Sequence, residues 1–206
     1  IKAKKPGAKE KKEIFSKILV WPESTFNAAR RIKIEFSIQK VCALNFASAT
    51  QPGGGVINGR KAQEETLSRQ SSLYHSISPQ VEFYQYHKEN TSPFYSHYMI
   101  YSPNVVVFRD DYYNLINNYR VSVITSAAVN YTQLCKMYPN GSREDDIKLC
   151  MKNRCRKILQ IALKKNNKAI VLGAFGCGVF GNKPEVVSKI FKEIIVDEYY
   201  GIFFDK

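Results

Sequence analysis

Apolar and polar positions along the chain follow two periods, and the switches between them mark the elements. Lys40 to Phe46 (KVCALNF) is an apolar run of strand length, which predicts a strand buried on both faces. Asn104 to Asp110 (NVVVFRD), Tyr119 to Ala128 (YRVSVITSAA) and Lys168 to Phe175 (KAIVLGAF) are short and rich in β-branched or apolar residues, and predict three more strands. The spacing turns helical in Ala62 to Ile77, where Leu67, Gln70 or Ser71, and Tyr74 share one side of a single predicted helix. It is clearest in Gly141 to Asn166: Ile147, Met151, Cys155, Ile158 and Ala162 trace one stripe, and Ser142 with Asp145 fits a capping box. Ser24 or Thr25 caps a short helix through Arg31. Pro184 to Tyr199 predicts a helix with proline in its first turn, and GIFF (Gly201 to Phe204) a closing strand. Ile14 to Trp21 reads as a strand or a buried helix end. Ser78 to Ser102, aromatic-rich and punctuated by proline without clear period, predicts a long loop draped over the domain.

Strand, glycine turn, helix and strand in succession make a βαβ unit, so the fold class is α/β with parallel pairs covered by helices. The chain has 206 residues, 44% of them hydrophobic, which suits one domain over residues 1–206. Residues 1–13 carry six lysines and predict a basic, solvated lead-in. Apolar runs are too short and interrupted to span a membrane, and none at the start resembles a signal peptide. Lys and Arg outnumber Asp and Glu by 31 to 18, a net charge of +13 that fits an anionic partner or a basic solvated surface. Five cysteines, odd in number and without a Cys-x-x-Cys pair, argue against a disulfide framework or zinc ribbon and favour a reducing, intracellular compartment, cytoplasmic or nuclear. His75, His87 and His97 have no ligand spacing and read as surface or packing residues, so no metal site is expected.

Two strand ends, Phe46 and Phe175, open into glycine-rich turns: Gly53, Gly54 and Gly55 in one, Gly176 to Gly181 in the other. In open α/β sheets ligands bind outside the carboxyl ends of strands. Glycine lets backbone N–H groups approach an anion, which suits phosphate, although neither loop has the Walker A or the GxGxxG pattern. Glu64 and Glu65 sit at the start of the helix that follows the first loop. Consecutive helical residues point about 100° apart, so the two carboxylates cannot face one bound group from opposite sides, and one of them must act nearly alone. A helix N-terminus favours ionised carboxylates there, whereas their adjacency and a bound phosphate oppose a second charge.

The run NFASATQPGGG, seven residues, QEE, then LSRQSSLY, YSPNVVVFRD and LGAFGCGVFGN resembles the microbial-type poly(ADP-ribose) glycohydrolases of the macrodomain superfamily. The likeness runs from about Val41 to the C-terminus. It implies a three-layer α/β/α macrodomain-like sandwich with a mixed central sheet. The implied activity is hydrolysis of the ribose–ribose O-glycosidic bonds of poly(ADP-ribose) to release ADP-ribose, without a cofactor. By the same likeness Glu65 is the catalytic acid and Glu64 holds the adjacent ribose hydroxyls. Gly53, Gly54 and Gly55 contact diphosphate and ribose, and Gln63 of the motif joins the ligand-binding set. Gly176, Cys177, Gly178 and Val179 form the diphosphate loop, Phe180 stacks on a ribose, and Asn45 contacts a ribose. The implied partners are poly(ADP-ribose), ADP-ribose and ADP-ribosylated proteins, with no membrane.

Two other readings use the same loops: a non-hydrolytic ADP-ribose reader, and a basic nucleic-acid-binding protein, disfavoured because no recognition motif is visible. Asn130 is a candidate water- or ribose-positioning group. Arg109 with Asp110 and Asp111 reads as a turn salt bridge rather than a cleft lining. The tyrosines of Tyr84 to Tyr101 read mostly as a wrapping of the domain.

Overall fold

The computed structural model describes residues 8–206; residues 1–7 of the expected basic lead-in lie outside the described residues. From Ala8 the chain is already helical, in α1 (Ala8–Lys17), whose Ile14 is buried against Val196 and Tyr199. α2 (Thr25–Glu35) follows, with Ser24 as its N-cap accepting from Asn27 N at 3.3 Å. Then come β1 (Val41–Phe46), α3 (Gln63–Gln70), α4 (Leu73–Ile77), α5 (Val81–Glu89), β2 (Ile100–Arg109) and β3 (Leu115–Ser126). α6 (Tyr131–Met137), α7 (Glu144–Lys164), β4 (Ala169–Val171) and α8 (Pro184–Lys192) complete the order, and α8 runs on into a π-helical turn and a 3₁₀ turn.

The sheet has the order β2-β3-β1-β4; β1 is parallel to both neighbours, and β2 is antiparallel to β3. Successive side chains of a strand point to opposite faces. Cys42 and Leu44 of β1, with Ile124 of β3, pack under α7 and α8. Val41 and Ala43, with Val121 and Val123, pack under α2 to α5. Both faces of β1 are therefore covered, which explains its unbroken apolar run and gives the three-layer α/β/α arrangement with a mixed sheet.

Several expectations are corrected. The single helix over Ala62 to Ile77 breaks after Gln70, because Ser71 bridges to Val107 and Ser72 exchanges hydrogen bonds with Val106 at 2.9 and 3.0 Å. Within the predicted long loop lies α5, with Phe83, Tyr84 and His87 on its buried side; polar-tipped Tyr and His hide the helical period in the sequence. α7 forms with its expected stripe buried, but the capping box does not: Arg143 stands at the N-cap and pairs with Asp146. The closing strand is instead a 3₁₀ turn, Tyr200–Phe203. Gly201 packs so closely on α1 that a Cβ there would lie 2.5 Å from Ile14 Cγ2.

Candidate active site

Because β1, β3 and β4 are parallel, Phe46, Ser126 and Val171 finish on one rim of the sheet. The loops 47–62, 127–130 and 172–183 leave from that rim. Phe46 packs on Phe175 with ring centroids 5.9 Å apart, and a Cβ on Gly173 would lie 2.8 Å from Phe46 Cζ. The two glycine-rich loops thus start on either side of one aromatic contact.

Gln63 sets where α3 begins. Lys40 O accepts from Lys168 N next to β4, and Ala47 N donates to Ser126 O at the end of β3, so even-numbered residues of β1 direct their backbone groups toward β4. Pairing with β4 ends at Ala43. Leu44 O and Phe46 N are left without a strand partner, and the Gln63 amide takes both, donating to Leu44 O at 2.8 Å and accepting from Phe46 N at 2.9 Å. Its second hydrogen goes to Thr25 Oγ1 at 3.1 Å. Gln63, expected in the ligand-binding set, has both amide hydrogens committed inside the protein and anchors α3 to the strand end.

The next two residues are the glutamates. Glu64 is buried; its Oε2 accepts from Ser48 N at 2.7 Å and its Oε1 from Asn45 Nδ2 at 3.2 Å. Burial pushes the Glu64 carboxyl up to about 7, against the lowering influence of the Ser48 N–H and the Asn45 amide, while Glu65 adds repulsion. Glu65 is 6% exposed, and its Oε1 accepts from Gly55 N at 2.8 Å. Gly54 adopts φ +59°, and a Cβ there would lie 2.5 Å from Glu65 Oε1 and 3.1 Å from Glu64 Oε2. Both carboxylates therefore meet the same side of the first glycine loop. Asn45, expected to contact ribose, is fully buried beneath Glu64 and also donates to Thr125 Oγ1 at 3.2 Å.

In the second loop, Asn182 Nδ2 donates to Val129 O at 2.8 Å and Gly176 O at 3.0 Å, and Thr132 N donates to Phe180 O at 3.0 Å. Gly176 has φ +74° and sits against Ala128. Gly178 faces open space and Val179 is 84% exposed, so the crest of the loop is free for a ligand. The Cys177 thiol donates to Phe175 O at 3.8 Å, and burial pushes its pKa up, which makes it a poor nucleophile. Phe180 packs on Tyr95 with centroids 5.7 Å apart.

Asn130 is the N-cap of α6, accepting from Gln133 N at 3.1 Å. The predicted salt bridge of Arg109 is not formed. Arg109 donates to Tyr113 O, Asp110 accepts from Tyr112 N and Asn114 N, and Asp111 accepts from Asn27 and Gln70. The sequence does not single out Ser48, Asn182 or Tyr95 as site residues: Ser48 and Asn182 fall within the NFASATQPGGG and LGAFGCGVFGN runs, and Tyr95 among the tyrosines read as wrapping the domain. Among the described residues no group of three His, Cys, Asp or Glu can hold a metal, and no helix is long and apolar enough to cross a membrane.

The family model for the microbial-type PARG catalytic domain matches residues 2–110, so the likeness starts well before Val41. Among solved structures, poly(ADP-ribose) glycohydrolase from Deinococcus radiodurans in complex with ADP-ribose is 36% identical with a TM-score of 0.82, covering 95% of this chain and 80% of its own. The enzyme from Thermomonospora curvata bound to the inhibitor ADP-HPD is 38% identical with a TM-score of 0.81, covering 89% of this chain and 70% of its own. No curated protein matches. With its glutamate pair, its two glycine loops on one rim and these relatives, the chain belongs to the microbial-type PARG family.

Proposed function

We propose that this chain hydrolyses poly(ADP-ribose), releasing ADP-ribose, and that Glu65 is the general acid and base. The observation that carries the reading is the contact of Glu65 Oε1 with the Gly55 N–H, on the rim shared with the 176–181 loop. A diphosphate lying across the exposed crest at Gly178 and Val179 would meet backbone N–H groups, and the ribose beside it would meet Glu65.

In the step proposed, the Glu65 carboxyl gives its proton to the leaving ribose oxygen as the C–O bond breaks. The ligand's own diphosphate stabilises the oxocarbenium-like sugar. Water then forms the new C–O bond and returns its proton to Glu65. Glu64 holds the neighbouring ribose hydroxyls, and Phe180 stacks on a ribose. The Ser48 and Asn45 contacts of Glu64 support this division, since they hold it in the floor of the site. ADP-ribosylated proteins carrying the polymer are the partners this activity implies.

The test is incubation of the purified chain with poly(ADP-ribose) and chromatography of the products. Free ADP-ribose is the expected product. Polymer bound but left uncut would replace this reading with that of a reader.

A further inference from the structure

Arg154 lies on the buried side of α7 among the apolar stripe and is fully buried; among the described residues no other Lys or Arg is. A buried cation ordinarily faces a carboxylate, because taking its charge out of water is costly. The partners of Arg154 are neutral. Its Nη1 donates to Ala127 O at 2.9 Å, and its Nη2 to Phe94 O at 2.7 Å and Cys150 Sγ at 3.5 Å. Its Nε donates to His97 Nδ1 at 3.4 Å. Burial, then the charges of Arg154 and Lys157, hold the His97 imidazole down at about 4, so this neighbour stays neutral as well.

The two carbonyls belong to the segments that support the second glycine loop. Ala127 precedes Ala128, which Gly176 abuts, and Val129, whose carbonyl accepts from Asn182. Phe94 precedes Tyr95, whose ring packs on Phe180, and Pro93 O accepts from Asn130 N at 2.8 Å, tying the segments together. One guanidinium therefore fixes both supports of the loop from behind.

We propose that Arg154 is a positioning residue for the 176–181 loop whose uncompensated charge strengthens binding of the ligand's diphosphate. The inference rests on the ADP-ribose reading above and adds the group that tunes it. A charge fixed in the interior is screened far less than a surface lysine, so it acts on an anion at the loop crest without touching it.

The test compares the wild-type chain with Arg154→Met and Arg154→Lys by calorimetric titration with ADP-ribose and by steady-state hydrolysis of the polymer, after circular dichroism has established folding. Arg154→Met is expected to bind ADP-ribose about tenfold more weakly, as the loss of a charged buried hydrogen-bonding group implies. The loss should fall on KM rather than kcat, and Arg154→Lys, which keeps the charge, should lie between. A folded Arg154→Met with wild-type affinity overturns the inference, as does an Arg154→Lys no better than Met. Should neither variant fold, the slowly exchanging Nε–H signal of the buried guanidinium in ¹⁵N-arginine-labelled wild type decides: displacement by ADP-ribose supports the inference, and an unmoved signal overturns it. Wild type that binds no ADP-ribose removes the functional reading itself, whereas wild type that binds it equally with the variants removes only the role of Arg154.

Discussion

Gly54 lies against Glu65: in the left-handed backbone of Gly54, at φ +59°, a Cβ would stand 2.5 Å from Glu65 Oε1. The first glycine loop is thus the mould of the carboxylate, and a side chain at Gly54 displaces what the neighbouring Gly55 N–H holds. Gly54→Ala should lower kcat/KM about 100-fold, the effect of a displacement near 1 Å. Gly59 provides the comparison, since it also has positive φ (+75°) with open space around it. Gly59→Ala should lose only what the left-handed backbone costs, about 1–2 kcal/mol, with activity kept. Equal activity in the two variants would refute the mould.

Glu65→Gln keeps an oxygen to accept from Gly55 N but has no proton to give. Turnover should fall by about 10²–10⁴, the usual contribution of a positioned acid, with affinity for ADP-ribose nearly unchanged. Single-turnover release of ADP-ribose and a calorimetric titration check the two halves. An active Glu65→Gln would mean the acid lies elsewhere.

Glu64 predicts a pH dependence of stability rather than of rate alone. Its carboxyl rises from the usual 4.5 to about 7, chiefly through burial. Below 4.5 it is protonated folded and unfolded, and contributes no penalty. Between 4.5 and 7 the unfolded chain releases the proton and the folded chain does not, so stability falls as pH rises, by about 3 kcal/mol in all, and is level above. Glu64→Gln removes this loss, so its stability advantage over wild type should widen from pH 5 to pH 8 in urea titrations. An advantage independent of pH would show that Glu64 is not held in its protonated form.

The parts legible in the sequence were those where one residue type admits one explanation. β1, with Cys42 and Leu44 on one face and Val41 and Ala43 on the other, had to be a strand covered twice. Gly53 and Gly54, both at positive φ, had to be a turn. α5 was illegible because its buried side is Phe83, Tyr84 and His87, and the polar tips of Tyr84 and His87 hide the helical period. The role of Gln63 was hidden for another reason. It depends on β4 ending its pairing at Ala43, which only the packed sheet reveals. Arg154 did leave a mark, a charge three residues after Met151 on the α7 stripe, where an apolar residue belongs.

Gln63 separates anchor from ligand contact. Gln63→Ala leaves Leu44 O and Phe46 N without their partner at a half-buried strand end, which should cost about 3 kcal/mol. Thermal unfolding measures it directly. A variant as stable as wild type with a raised KM for the polymer would restore Gln63 to the ligand-binding set.

The two serines that the sequence offered as caps give the last comparison. Ser24 accepts from Asn27 N at the start of α2, the helix that also presents Thr25 to Gln63. Ser142 lies one residue before the N-cap of α7, and that cap makes no side-chain hydrogen bond. Ser24→Ala should therefore cost about 1 kcal/mol, and Ser142→Ala less than about 0.5 kcal/mol, although the sequence pattern favours the second site as the stronger cap. Urea unfolding of both variants decides. A larger loss at Ser142 would mean that the capping box forms in solution and that α7 begins one residue earlier, with Asp145 rather than Asp146 bound at its start.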